Sequence, residues 1–367
     1  NDARVINASW GADIFSELMK ETIELIDTHY DCQIAAAAGN RKRDLDVQAH
    51  NPGGYEEVIT VGASDKNDSL SAWSERSGSN FGFRVDLVAP GSGVLSLLPS
   101  NQYTAKNGTS MATPHATAVY AVIKSFHPNW NKNQIRKVIN LTSNDLGASG
   151  RDKKFSNGRL DFYRALQIDY LNFLPEAKIL SPTNNEVLHN NLNLQAIAQA
   201  ANFQKYQVSL SKDGESWQQI FESSQATKPS GNTILSDYSL TNYANQWIFI
   251  KLEVLTTDTK PYPNYAADVK RIFVSSVRGW SKKFSATALT SPAIADFNND
   301  GLLEILTTGG NLYRIEKQKV HLFDYRGEYL PNWPIAVDFY PQPYHPIIVG
   351  VKPGVKKIIA NAYKWYI

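Results

Sequence analysis

The spacing of apolar residues changes twice along this chain of 367 residues, and each change narrows the folds open to it. Up to about residue 171, short apolar runs alternate with helical patterns. Val5 to Ala8, Gln33 to Ala38, Val58 to Gly62 and Val85 to Ala89 read as strands. Between Ile14 and Tyr30, Phe15, Met19, Ile23 and Ile26 keep helical spacing, and Met111 to Phe126 and Lys132 to Thr142 read as two further helices. Strand and helix in alternation predict a parallel sheet with helices on its faces. Such sheets bind ligands at the carboxyl ends of their strands, where Gly11, Asn40 and a serine turn at Ser110 all fall.

Beyond residue 172 the period becomes two. Leu192, Leu194, Ala196 and Ala198 alternate with polar residues, as do Tyr206, Val208 and Leu210, and Ile248, Ile250, Leu252 and Val254. Turns such as Lys212-Asp213-Gly214 separate them, so residues 172–277 are expected to form an immunoglobulin- or fibronectin-III-like β-sandwich. From Arg278 a third pattern begins. Asp296, Asn298 and Asp300 place oxygen side chains at alternate positions, Gly301 permits a sharp turn, and Glu304 adds a carboxylate, a set suited to Ca²⁺. With His321 to Gly327 and Asn332-Trp333-Pro334, this segment resembles an FG-GAP/VCBS-type propeller blade. His345 to Gly350 restarts the pattern about 55 residues later without the acidic loop, so residues 278–367 are expected to be a partial β-propeller with one calcium site.

Composition removes several functions. Thirty-seven basic against 35 acidic residues give no charge surplus for nucleic acid or a membrane surface. No run of ~18 apolar residues is present to span a bilayer. Cys32, the single cysteine, excludes an internal disulfide and reads as a small buried residue.

The chemistry gathers at Asn107-Gly108-Thr109-Ser110-Met111-Ala112-Thr113-Pro114-His115. A serine between a glycine turn and a helix start has an exposed hydroxyl, a free backbone N–H and the positive end of the helix dipole beside it. The same stretch places Pro114 near the start of the helix, where a missing N–H costs little. These nine residues resemble the serine motif of the subtilisin-like proteases. Further similarities follow the family's order: Val5 to Gly11 with its substrate-binding strand, Ala36 to Asn40 with its oxyanion-hole segment, Val85 to Gly91 with the strand before the serine turn, and Gly158 to Asp161 with the domain's end.

The resemblance implies a secreted or cell-surface serine endopeptidase acting on polypeptides, with Ser110 as nucleophile and Asn40 as an oxyanion donor. It implies that Ser9, Trp10 and Gly11 pair with an extended substrate, and that Ala37, Ala38 and Gly39 wall the pocket for the side chain before the scissile bond. Arg41 and Arg43, beside Asn40, read first as a solvated basic loop, with a preference for an acidic residue in that pocket as the alternative. The family's chain order is Asp, His, Ser, so the first two catalytic residues are expected upstream of Asn1, in an N-terminal part missing here. Both ends read as cuts through a longer protein. His29, His50, His115, Asp2 and Asp13 stand in no matching Asp or His motif, and the chain alone is expected to be inactive. The competing expectation is a non-catalytic adhesion protein that keeps a protease-like scaffold. In either case the β modules serve as spacers or bind extracellular protein or carbohydrate.

Overall fold

The computed structural model describes residues 3–276 except 15, 260 and 261, together with 293–297, 300–309, 318–324, 326–333, 335–337, 347–352 and 355–359. The chain divides into two compact units, Asn1–Val274 and Ser275–Ile367.

The first unit opens with an α/β layer. Strands β1 (Val5–Ala8), β2 (Gln33–Ala37), β3 (Val58–Ser64) and β4 (Leu87–Pro90) form one sheet in the order β1-β2-β3-β4. Every pairing is parallel, as the alternation predicts: Val5 faces Gln33, Ile34 faces Val58 and Val61 faces Leu87. Helix α1 (Glu17–His29) starts where the Ser16 side chain accepts the Met19 N–H. After the hairpin β5–β6 (Val94–Leu98, Gln102–Lys106) comes α2 (Thr109–Phe126), which packs on the sheet. Ala112 and Ala116, both fully buried, keep that face of α2 narrow and let it approach β3 and β4, while Tyr120 and Ile123 fill the space behind. Helix α3 (Lys132–Thr142) begins at a reciprocal cap between Asn131 and Gln134 and adds Ile135, Val138 and Ile139 to the same core. A short α4 (Phe162–Leu166) closes the layer.

Strand β4 starts two residues later than the sequence suggests, and Asp86 just before it serves as a junction. Its carboxylate accepts Thr60 N–H at 2.8 Å, Asn140 at 2.8 Å and Arg136 at 2.9 Å, tying α3 to β3.

The remaining strands of this unit are β7 (Glu176–Ser181), β8 (Val187–His189), β9 (Asn191–Gln199), β10 (Phe203–Ser211), β11 (Gln218–Ser223), β12 (Asn232–Ser239), β13 (Gln246–Thr256) and β14 (Tyr265–Ser275). They make a five-stranded sheet, β11-β10-β13-β14-β8, and a three-stranded sheet, β12-β9-β7. Leu192, Leu194 and Ala196 of β9 share one buried cluster with Val208, Ile250 and Ile272 of the larger sheet, so the alternation seen in the sequence is an inside–outside alternation. Phe83 of the α/β layer meets Phe249 at 5.5 Å and Trp217 at 6.1 Å between ring centroids. Beside them Arg151 donates to Phe83 O, and Arg271 donates to Asp46 O at 2.6 Å.

In the second unit, β15 (Ala293–Ala295), β16 (Glu304–Gly309), β17 (Gln318–Phe323) and β18 (Ile335–Val337) form an antiparallel sheet in chain order over Leu306, Val320 and Leu322. Strands β19 (Ile347–Lys352) and β20 (Val355–Ile359) form a hairpin.

Candidate active site

Helix α2 begins at Thr109, two residues earlier than the sequence pattern indicates. The residue before it, Gly108, has φ near +150°, a conformation open to glycine and costly for side-chain-bearing residues. A Cβ at Gly108 would stand 3.6 Å from the Ser110 nitrogen and 3.7 Å from Asn40 Nδ2. Two N–H groups therefore border one small space that the absent side chain leaves open. Among the described residues, neither the Ser110 N–H nor the Asn40 amide hydrogens have a protein acceptor.

The Asn40 side chain is held by its oxygen. Oδ1 accepts the Thr109 N–H and the Thr109 hydroxyl, each at 2.9 Å. With the oxygen engaged twice, the amide nitrogen is the end directed away from Thr109. The Thr109 hydroxyl also accepts the Gly39 N–H at 3.1 Å. One fully buried threonine thus joins the end of β2 to the start of α2.

The earlier start of α2 makes Pro114 its sixth residue, an interior position rather than the first turn expected from the sequence. Proline has no N–H for the Ser110 carbonyl four residues back. That carbonyl instead accepts the Ser9 hydroxyl at 2.9 Å, and Asn7 in turn donates to Ser9 Oγ. Ser9 therefore holds the serine turn with its side chain, while Trp10 next to it is 56% exposed.

Gly11 lies on the other side of Trp10, and Ala12 pairs with Asn51 through two 2.8 Å backbone bonds. This pairing carries His50 into the space between the Gly11 and Gly39 backbones. A Cβ at Gly11 would fall on His50 Nε2, and one at Gly39 would come 2.9 Å from His50 Cδ2. The imidazole thus touches both glycine backbones and fills the gap between Gly11 and Gly39. Its Nδ1 lies 2.7 Å from Asp13 Oδ1, and Asp13 Oδ2 receives Arg41 at 2.8 Å and Arg43 at 2.7 Å. The His50 hydrogen bond, aided by the Arg41 and Arg43 charges, holds the Asp13 carboxyl below the usual carboxylate range despite partial burial. Sequence reasoning set both His50 and Asp13 aside because neither stands in a motif. The structure brings them together beside the expected substrate-binding segments.

No histidine among the described residues hydrogen-bonds to Ser110. His115, on the same helix, turns its Nδ1 back to the Met111 carbonyl at 3.0 Å.

Residues 1–158 match the Subtilase family model. Over 147 residues the chain is 35% identical to alkaline elastase YaB of Bacillus sp. (strain YaB), covering 40% of this chain and 36% of that protein. It is 34% identical over 149 residues to subtilisin DY of Bacillus licheniformis, covering 41% and 53% respectively. Among solved structures, a protease of Pseudoalteromonas arctica PAMC 21717 aligns at 27% identity with a TM-score of 0.40, over 45% of this chain and 51% of its own. The chain spans between about a third and about half of the curated relatives it matches. The subtilase match covers β1 to β6 and α1 to α3, and so contains Ser110, Asn40 and His50. It ends before the two antiparallel sheets of the first unit.

Outside the subtilase match, Asp296, Asp300 and Glu304 each offer a carboxylate oxygen, all within 4.8 Å of one another. Asp296 also accepts the Asp300 and Gly301 N–H groups at 3.2 Å, which curls the loop around its own carboxylate. An all-oxygen set of this kind fits a hard cation. Asn298, expected as a fourth ligand, lies outside the described residues. No helix of the described chain is long and apolar enough to cross a membrane.

Proposed function

We propose that this chain carries the nucleophile half of a secreted subtilisin-like serine endopeptidase. The supporting observation is the space at Gly108, bordered by the Ser110 N–H and the Asn40 amide and bound by neither. In this reading Ser110 Oγ attacks the carbonyl carbon of the scissile peptide, and the carbonyl oxygen becomes an anion between those two donors. The Ser110 proton passes to a histidine and from it to the departing amine, leaving an acyl ester on Ser110. Water then releases the acyl group by the same route. The histidine and its aspartate partner are proposed to precede Asn1.

The substrate backbone lies along Ser9, Trp10 and Gly11. The side chain before the scissile bond is proposed to meet Ala37-Ala38-Gly39, where the His50 ring fills the gap to Gly11 and must shift to admit it. We read the paired sheets of residues 172–277 as an immunoglobulin- or fibronectin-III-like spacer and the four-stranded sheet after residue 278 as a blade of a partial propeller. In that blade Asp296, Asp300 and Glu304 would hold Ca²⁺.

The test is proteolysis by a form of the protein extended upstream to include an Asp and a His. Ser110→Ala should abolish casein hydrolysis by that form. Asn40→Ala should lower kcat by about 10²–10³-fold, the cost of removing such a donor in subtilisin. The 367-residue chain alone should react only slowly with a fluorophosphonate. An extended protein with both residues and no hydrolysis would refute the reading.

A further inference from the structure

A cavity of about 340 Å³ opens in the first unit where α3 faces β7 and β14. None of its lining residues belongs to the serine turn or to the Gly39-Asn40 segment. Helix α3 contributes Arg136 and Lys137, and β7 contributes Glu176 and Lys178. Asp268 and Lys270 come from β14, and Arg151 from the loop between α3 and α4. The volume lies within the range of about 300–1,000 Å³ that small-ligand pockets occupy.

The charges around this cavity do not balance. Arg136 is matched by Asp86, which accepts its Nε and Nη2 hydrogens at 2.9 Å each. Asp268 lies between two cations, 3.5 Å from Lys270 and 4.0 Å from Arg151. Glu176 accepts the Gln199 amide at 2.9 Å instead of an ammonium. Among the described residues, Lys137 and Lys178 have no ion-pair partner. The Lys137 ammonium reaches only the Leu174 carbonyl, at 3.4 Å. Five cations thus share three carboxylates, Asp86 included, and two positive charges are left unmatched. Water screens them poorly, because the Arg151 and Asp268 side chains are each only 15% exposed. Burial pushes the Lys137 ammonium pKa down, and the Glu176 charge offsets only part of that shift.

Half-buried positive charge without a partner is unfavourable, and an anion in the cavity removes that cost. A single carboxylate cancels one of the two charges, whereas a dianion cancels both. The wall is already set for it: Arg151 is held by the Phe83 carbonyl at 2.7 Å and the Ala267 carbonyl at 3.3 Å, so little order is lost on binding. Ammonium and guanidinium groups are also the donors that suit phosphate oxygens. We propose that this cavity binds a compact dianion of the phosphate class, inorganic phosphate or a small phosphate monoester, through Lys137, Lys178, Lys270 and Arg151. Helix α3 lies inside the subtilase match and β7 and β14 lie beyond it, so the ligand joins the α/β layer to the sheets that follow. The site stands whether or not the protease reading does.

Calorimetric titration of the 367-residue chain tests this, with inorganic phosphate, glycerol 3-phosphate and acetate as probes at about pH 8, where phosphate is chiefly dianionic. Heat of binding is read rather than melting temperature, because phosphate also stabilises proteins by exclusion from their surface. Both phosphates should bind saturably at one site, and acetate at least about tenfold more weakly. The tighter of the two phosphates tells the free ion from the ester as occupant. Lys137→Gln should weaken binding by about tenfold or more, the worth of one hydrogen bond to a charged group. Glu176→Gln keeps an acceptor for Gln199 but removes a competing negative charge, and should tighten binding roughly threefold. Lys66→Gln, outside the cavity, removes the same charge as Lys137→Gln and should change nothing. No saturable binding of either phosphate, acetate binding as tightly, or equal affinity in Lys137→Gln and Lys66→Gln overturns the inference. If Lys137→Gln fails to fold, the exposed Lys178 supplies the same comparison as Lys178→Gln.

Discussion

Thr109→Val isolates the link between the Gly39-Asn40 segment and the serine turn. Valine keeps the shape of threonine but removes a fully buried hydroxyl that donates to Asn40 Oδ1 and accepts the Gly39 N–H. The substitution loses one net hydrogen bond, about 0.5–1.5 kcal/mol, and strands a buried N–H at about 1–3 kcal/mol. The expected loss of unfolding free energy is therefore about 1.5–4.5 kcal/mol, a large part of the ~5–15 kcal/mol that holds a typical domain. Thr113→Val is the matched control. Thr113 is equally buried, but its hydroxyl donates only to the Thr109 carbonyl within the helix, so its removal strands no donor and should cost about 1 kcal/mol or less. Urea denaturation followed by circular dichroism compares the two, and amide exchange at Gly39 should accelerate in Thr109→Val alone. If Thr109→Val is no more destabilising than the control, the threonine does not carry the link, and the placing of Asn40 must have another cause.

Asp46, beside Asp44 and facing the cavity between the α/β layer and the five-stranded sheet, has its pKa pushed up to about 6 by burial first and the Asp44 charge second. The folded state then holds this proton more tightly than the unfolded state. Its contribution is complete below about pH 4 and lost as pH rises through about 6, so Asp46→Asn should flatten that part of a stability–pH curve, and an unchanged slope would refute the assignment. Phe249→Ala should cost about 3–5 kcal/mol by emptying the contact with Phe83 and Trp217; a loss under about 1 kcal/mol in urea denaturation would show that those rings do not hold the layers together. Asp296→Ala should lower the melting temperature only when Ca²⁺ is present, and an equal loss in chelator would count against a metal in that loop.

The elements nearest the proposed chemistry could be read in the sequence because local pattern decides them. The β1 bounds and the α3 limits agree with the apolar spacing, and a glycine before a helix start marks Ser110 without any knowledge of distant residues. What the sequence did not show depends on contacts between remote segments. Asp13 and His50 are 37 positions apart and meet only because Ala12 and Asn51 pair. The role of Thr109 as a clamp on Asn40 was hidden for the same reason, since the two are 69 positions apart. The bounds of β4 and α2 differ from the sequence pattern by two residues each, within the range over which element ends are ill-defined by periodicity.

Pro114 gives the serine turn a mechanical property. A helix normally spends each carbonyl on its own ladder, but here one is released and taken up by a residue more than a hundred positions earlier. The rung missing from α2 has become a strut to the segment after β1 that is proposed to guide the substrate. In the proposed function recognition and attack then share a single joint: a peptide that displaces Ser9 when it docks would move the Ser110 backbone, and one that leaves Ser9 in place would find that serine already set.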